Sequence, residues 1–188
     1  MKRLLLLIAL VSASVLANAQ ATTYSQVYKA FKVDIGLGYA IPSDGTGTKA
    51  GVTFTIEPHY RITDDLAVGL RFEGAGIGYV NQATDKAKVS LLTSYCPSLE
   101  YYFMDEGFRP FAGAGAGLFT QKAIAEADSP GNTVTGPSST KFGVFPRIGF
   151  EAGHFRFAAS YDVLGNKANY ASFAIGAFFG GGRKRSKY

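Results

Sequence analysis

The residues able to do chemistry in this chain are few and oddly spaced. His59 and His154 are the only histidines and Cys96 is the only cysteine. Ser94, Ser98, His59 and Asp162 supply the residue types of a serine–histidine–carboxylate hydrolase, but no motif fixes them together. No set of Cys, His and carboxylate residues has metal-ligand spacing, so no metal and no cofactor are expected. The glycine runs GAGIG (74–78) and GAGAG (113–117) would suit a phosphate loop only if a helix followed, and none is visible. They read as strand glycines. What stands out instead is charge at alternate positions, as in Glu57-Pro58-His59-Tyr60-Arg61 and Arg71-Phe72-Glu73. Asp34, Glu57, Glu73, Glu100, Glu151 and Asp162 can be set against Arg61, Arg71, Arg109, Arg147 and Arg156, with His59 among them. Their expected role is a self-neutralising, structural polar network rather than a catalytic centre.

Such spacing belongs to strands, because a period of two sends successive side chains to opposite faces. From Val52 to Glu73 the alternation is unbroken except at Thr63-Asp64-Asp65, which predicts a hairpin with a tight polar turn. If Ile62 and Leu66 flank that turn as a pair, Glu57 lies opposite Arg71, close enough for a salt bridge. The same pattern predicts strands over 31–41, 87–103, 108–119, 141–152, 155–163 and 169–179, eight in all with the first hairpin. Each has an apolar face, such as Phe31, Val33, Ile35, Leu37, Tyr39 and Ile41 in the first. The opposite faces carry charge, hydroxyls and glycine, with Leu92 as an exception. The connections near 63–65, 104–107 and 153–154 read as tight turns, and those near 42–49, 74–86, 120–140 and 164–168 as longer loops.

The N-terminus points to export. Lys2 and Arg3 precede an apolar run, and Ala17-Asn18-Ala19 offers a cleavage site, so residues 1–19 read as a signal peptide and the mature chain as starting at Gln20. The run is too short to span a membrane as a helix. The net charge of +5 is concentrated at the two ends, in Lys2 and Arg3 and in the tail Arg183, Lys184, Arg185 and Lys187. The body between is close to neutral, which argues against a nucleic-acid partner. A single cysteine excludes an internal disulfide.

Two barrels fit this pattern: a soluble, lipocalin-like one with the apolar face inward, and a transmembrane one with that face in lipid. Glycine decides. Gly36, Gly38, Gly69, Gly113, Gly115, Gly117, Gly149 and Gly176 all fall on the polar face, where they solubilise nothing. In a narrow lumen they make room for Phe111, Phe145 and the long charged side chains. Strands this long, alternating short and long connections, and aromatics near both strand ends complete the case for a transmembrane barrel. The expected fold is therefore all-β: an eight-stranded antiparallel up-and-down transmembrane β-barrel over 31–179. A short periplasmic segment, 20–30, precedes it and a basic periplasmic tail, 180–188, follows.

With its signal peptide, FRPFAGAGAGLF after a tight turn and a final aromatic strand, the chain resembles the small OmpA/OmpX-like bacterial outer-membrane barrels. The resemblance implies an outer-membrane location and a porin-like fold. It also implies outer-membrane lipids and the barrel-assembly machinery as partners, and a monomeric chain whose loops meet any extracellular ligand. Gly180-Gly181-Gly182 and the tail follow Phe179, so the assembly signal is either Phe179 or the final Tyr188. The function expected is a structural or surface-interaction role with a plugged lumen and no enzymatic activity. The alternatives are a lipid A-modifying enzyme and a small channel for hydrophobic or other small solutes.

Overall fold

The structure, a computed structural model, describes residues 27–43, 48–81, 86–126, 133–165 and 168–184. The predicted signal peptide, most of the segment after it and the end of the tail lie outside these residues. Eight strands follow one another in the chain: β1 (Phe31–Pro42), β2 (Thr48–Arg61), β3 (Leu66–Asn81), β4 (Lys86–Tyr102), β5 (Phe108–Glu126), β6 (Thr133–Ala152), β7 (Phe155–Asp162) and β8 (Tyr170–Gly180). Each pairs antiparallel with its neighbours, and β1 pairs with β8 to close the barrel. Closure leaves no free edge in the membrane wall, the condition for strands to cross lipid.

The two faces part as the alternation requires. Leu37, Val52, Phe142 and Ile148 are each about two-thirds exposed on the outer wall, whereas Lys32, Glu100 and Asp162 are fully buried inside. A soluble barrel would show the reverse. Tyr60, Tyr101, Phe103, Phe108, Phe155 and Phe179 form an exposed aromatic ring toward the short-turn end, and Tyr39 and Tyr161 lie toward the other.

Outward prolines interrupt three seams. Pairing lapses between Ile56↔Phe72 and His59↔Gly69 at Pro58, between Tyr95↔Leu118 and Ser98↔Gly115 at Pro97, and between Arg147↔Ser160 and Val144↔Val163 at Pro146. A proline has no N–H to give to the ladder.

One expectation needs correcting. The stretches 74–86 and 120–140, expected as loops, are largely strand: β3 runs to Asn81, β5 to Glu126, and β6 starts at Thr133. The pairs Thr120↔Thr140, Gln121↔Ser139 and Lys122↔Ser138 continue the ladder beyond the lipid-facing stretch. Ser, Thr and Gly suggested turns by composition, but a hairpin satisfies their backbone groups just as well, and Thr favours strands. The Thr120 and Thr140 hydroxyls meet at 3.0 Å, and Gln121 Nε2 donates to Ser90 Oγ at 3.0 Å.

Inside, one apolar cluster of Ala67, Tyr102 and Phe111 lies toward the short-turn end. A larger one, with Leu92, Cys96, Phe119, Phe145 and Leu164, lies toward the tall hairpins. Leu92, the exception on a polar face, thus fills the lumen. Charge occupies the space between the clusters.

Candidate functional site

The side chains between the clusters come from all eight strands, because each strand turns every second residue inward. Glycine clears their space. The ring of Phe111 lies 2.5 Å from where a Cβ on Gly149 would stand, and Phe119 lies 2.8 Å from that of Gly143. Phe145 crosses Gly115 in the same way. Aromatic rings over glycines of the neighbouring strand pin the register of β5 against β6.

All twelve charged residues predicted for the polar network are buried: Asp34, Glu57, His59, Arg61, Arg71, Glu73, Glu100, Arg109, Arg147, Glu151, Arg156 and Asp162. They fall into two nests and a mouth. In the larger nest Arg147 forks onto Glu57 with contacts of 2.6 and 2.7 Å and reaches Glu100 at 2.9 Å. Arg156 bridges Glu100 and Glu151, the latter at 2.7 Å, and its Nε lies 3.3 Å from Asp34. His59 Nε2 sits 2.8 Å from Asp34, with Glu57 and Glu100 at 3.5 and 3.6 Å from the ring. Ser98 donates to Glu57 at 2.6 Å. In the smaller nest Arg71 meets Asp162 at 2.5 Å and Glu73 at 3.7 Å, Tyr170 donates to Glu73 at 2.6 Å, and the Arg71 guanidinium lies 3.6 Å over the Phe145 ring.

The salt bridge expected between Glu57 and Arg71 is absent. The register is the one the turn imposes, since Ile56↔Phe72 and His59↔Gly69 bracket the two residues. Their side chains pass one another and cross the lumen instead, Glu57 to Arg147 on β6 and Arg71 to Asp162 on β7. Sequence reasoning also missed members of the network. Lys32 is fully buried and contacts Asp34 at 3.2 Å, Glu151, and the Tyr102 hydroxyl at 2.8 Å. Tyr102 places that hydroxyl 2.8 Å from both Glu100 and Glu151. Both lie on the polar face of the alternation, and that was the signal available.

The short-turn mouth carries a further device. The amides of Val27 and Tyr28 donate to the Asp64 carboxylate at 2.9 Å, and the Tyr28 hydroxyl reaches the Asp105 carbonyl. Tyr28 forms a β-bridge with Arg183, flanked by Lys29 N to Gly182 O at 3.0 Å and Lys184 N to Val27 O at 2.7 Å. The segments on either side of the barrel thus meet across its mouth, with the Tyr28 ring against Arg61 and Arg109.

Asp34, Glu57 and His59 come close enough to share a metal ion. Their charge is already answered, however. Asp34 has Lys32 and Arg156 beside it and Glu57 has Arg147, so a divalent ion would have to displace cations built into the wall. His154 lies in the β6–β7 turn with Nδ1 3.0 Å from the Phe178 carbonyl.

A closed barrel, apolar outside and ion-paired inside, is a transmembrane β-barrel. The model of the outer membrane protein beta-barrel domain matches residues 4–177, and the chain belongs to that family, an outer-membrane one. No curated protein matches the sequence. Among solved structures it is similar to Neisserial surface protein A, at 19% identity and a TM-score of 0.58, covering 81% of this chain and 98% of that one. It is also similar to Ail, the attachment invasion locus protein of Yersinia pestis, solved with the heparin analogue sucrose octasulfate, at 16% identity and a TM-score of 0.50, covering 80% and 100%. Likenesses at this level speak to the fold.

Proposed function

We propose that this chain is a non-enzymatic outer-membrane barrel whose own side chains plug the lumen and whose role is structural or surface-binding. The short turns and both flanking segments face the periplasm, and the tall hairpins face outward. The observation that carries this reading is the succession of side chains across the described interior, from the two ion-paired nests to the Leu92, Phe119 and Phe145 cluster. The void between the nests is about 50 Å³, room for a few waters and no solute. The polar hairpins β3–β4 and β5–β6 then offer the surface for an extracellular ligand.

The geometry gives the lipid A-modifying alternative little support. His59 is almost fully buried among three carboxylates, and Ser98 donates to Glu57 rather than to the imidazole. A lipid substrate would reach them only by dismantling the Arg147–Glu57 pair. The channel alternative meets the same obstruction. Reconstitution of the purified barrel into planar bilayers tests the reading: no steady conductance is expected over hours of applied voltage. Regular single-channel steps, absent from empty bilayers, would replace the plugged lumen with the small-channel function.

A further inference from the structure

Arg109 is the one interior arginine with no carboxylate partner among the described residues. Arg61 has Glu151, Arg71 has Asp162, Arg147 has Glu57 and Arg156 has Glu100. Arg109 Nε donates to the Met104 carbonyl at 3.1 Å and Nη2 to the Asp64 carbonyl at 2.6 Å, while Nη1 has no partner. The guanidinium is sandwiched between the rings of Tyr28 and Tyr102, at 4.1 and 4.4 Å, and the residue is only 4% exposed. Carbonyl dipoles and ring faces answer part of a buried charge. A full counter-charge is what makes burying a cation tolerable.

Of the neighbouring acids, Asp65 shares a side-chain hydrogen bond with Asp105 and acts on Arg109 through space, without an ion-pair contact, and the others are committed elsewhere. Asp64 spends both carboxylate oxygens on the Val27 and Tyr28 amides. Glu151 is held by Lys32 and Arg156, and Glu106 at the rim by Arg183 at 3.2 Å. The adjoining stretches 20–26 and 185–188 contain no Asp or Glu.

Beside Arg109, at this mouth, lies a cavity of about 280 Å³ that Arg61 and Arg183 also line. Glu106, Glu151, Gly107, Gly153 and Gly182 form part of its wall, and a Cβ on any of the three glycines would meet nothing within 4 Å. Three guanidinium groups lining one concave space are the elements of an oxyanion receptor.

We propose that the short-turn mouth is an oxyanion-binding site, centred on Arg109 with Arg183 at its rim, for a phosphate or carboxylate group. With the orientation proposed above, such a group comes either from a soluble periplasmic anion or from an inner-leaflet phospholipid headgroup. Arg183 is 61% exposed in its side chain, so it can leave Glu106 for the ligand at small cost. Arg109 supplies the fixed charge and Arg183 the movable one.

Inorganic phosphate is the probe. The full chain in a non-ionic detergent is titrated with it at an ionic strength held constant with chloride, while the amide resonances of Gly107, Gly153 and Gly182 are followed by NMR. Saturable shifts confined to the mouth are expected. Arg183→Ala should weaken them about tenfold, the loss of one charge-assisted hydrogen bond, and Arg109→Gln should abolish saturation. Repeating the titration in phospholipid nanodiscs identifies the source. Resonances already shifted and indifferent to phosphate assign the site to a lipid headgroup, and a retained response assigns it to a soluble anion. The absence of any saturable shift in micelles, or equal affinity in wild type and Arg183→Ala, would overturn the proposal. The second criterion stands by itself if Arg109→Gln does not fold.

Discussion

The pairing of Glu57 shows how a narrow barrel chooses its ion pairs. On an open sheet the directly opposed residue is the natural partner, with Cβ atoms about 4.5–5.5 Å apart. Across a lumen filled by side chains, an arginine from a distant strand can approach end-on and fork onto the carboxylate, as Arg147 does at 2.6 and 2.7 Å. Removing one member of a buried pair costs about 3–5 kcal/mol, because the other is left uncompensated. Arg147→Leu should therefore lower the barrel's stability by that order, reduced where lumen water reaches Glu57. Glu57→Leu added to Arg147→Leu should recover much of the loss. Urea unfolding in detergent micelles measures both. A parallel cycle on Glu57 and Arg71, which stand opposite on the ladder but bond elsewhere, should show far weaker coupling. Equal coupling in the two cycles would mean that the carboxylate divides itself between the arginines.

At the scale of elements, the β5–β6 hairpin has the most extensive pairing of any seam, from Phe108↔Ala152 to Glu126↔Thr133. Its glycines do two things at once. They let aromatic rings lie flat across the neighbouring strand, and they keep the lumen from overfilling. Gly143 is the clearest position to test, since a Cβ there would stand 2.8 and 2.9 Å from the Phe119 ring and 3.0 Å from the Val163 carbonyl. Gly143→Ala should destabilise by about 1–3 kcal/mol through overpacking. Combined with Phe119→Leu, its cost should shrink by more than half. The comparison is the double-mutant coupling in the same unfolding assay, and strict additivity would show that the wall, not the ring, resists the methyl group. The reach of this hairpin was only half legible. The alternation from Phe108 to Phe119 and from Lys141 to Ala152 was clear, but the Ser-, Thr- and Gly-rich sequence between them carries no unbroken alternation. Without a period-two signal to read, the continuation of the strands shows only in the backbone pairing.

For the whole molecule, the arrangement of connections is what the proposed orientation across the membrane rests on. Tight turns at 62–65, 103–107 and 153–154 share one end with both flanking segments, and the tall hairpins share the other. A protease-cleavable tag at Gly131, a position outside the described residues but between β5 and β6, should be cut on intact cells. The same tag at Asp105 should be protected until the outer membrane is breached. The opposite accessibility would invert the proposed orientation, and with it the compartment that the Arg109 mouth faces. Barrel stability would be untouched by that result, because closure of β1 on β8 does not depend on which side is which.

The sequence by itself determined the number of strands, the face each residue takes and the solvent of each face. These follow from local alternation and from glycine on the polar side, and neither needs a distant contact. It also placed Lys32 and Tyr102 inside without revealing what they do. The tertiary structure alone decided which charge meets which, how far β5 and β6 extend, and that Tyr28 and Arg183 join across the mouth. The reason is physical. Alternation sets only the side of the wall, whereas the partner across a lumen depends on the relative stagger of strands far apart in the chain. That stagger accumulates over every seam between them, so only the closed barrel brings Arg147 to Glu57 and sets Arg109 against backbone carbonyls.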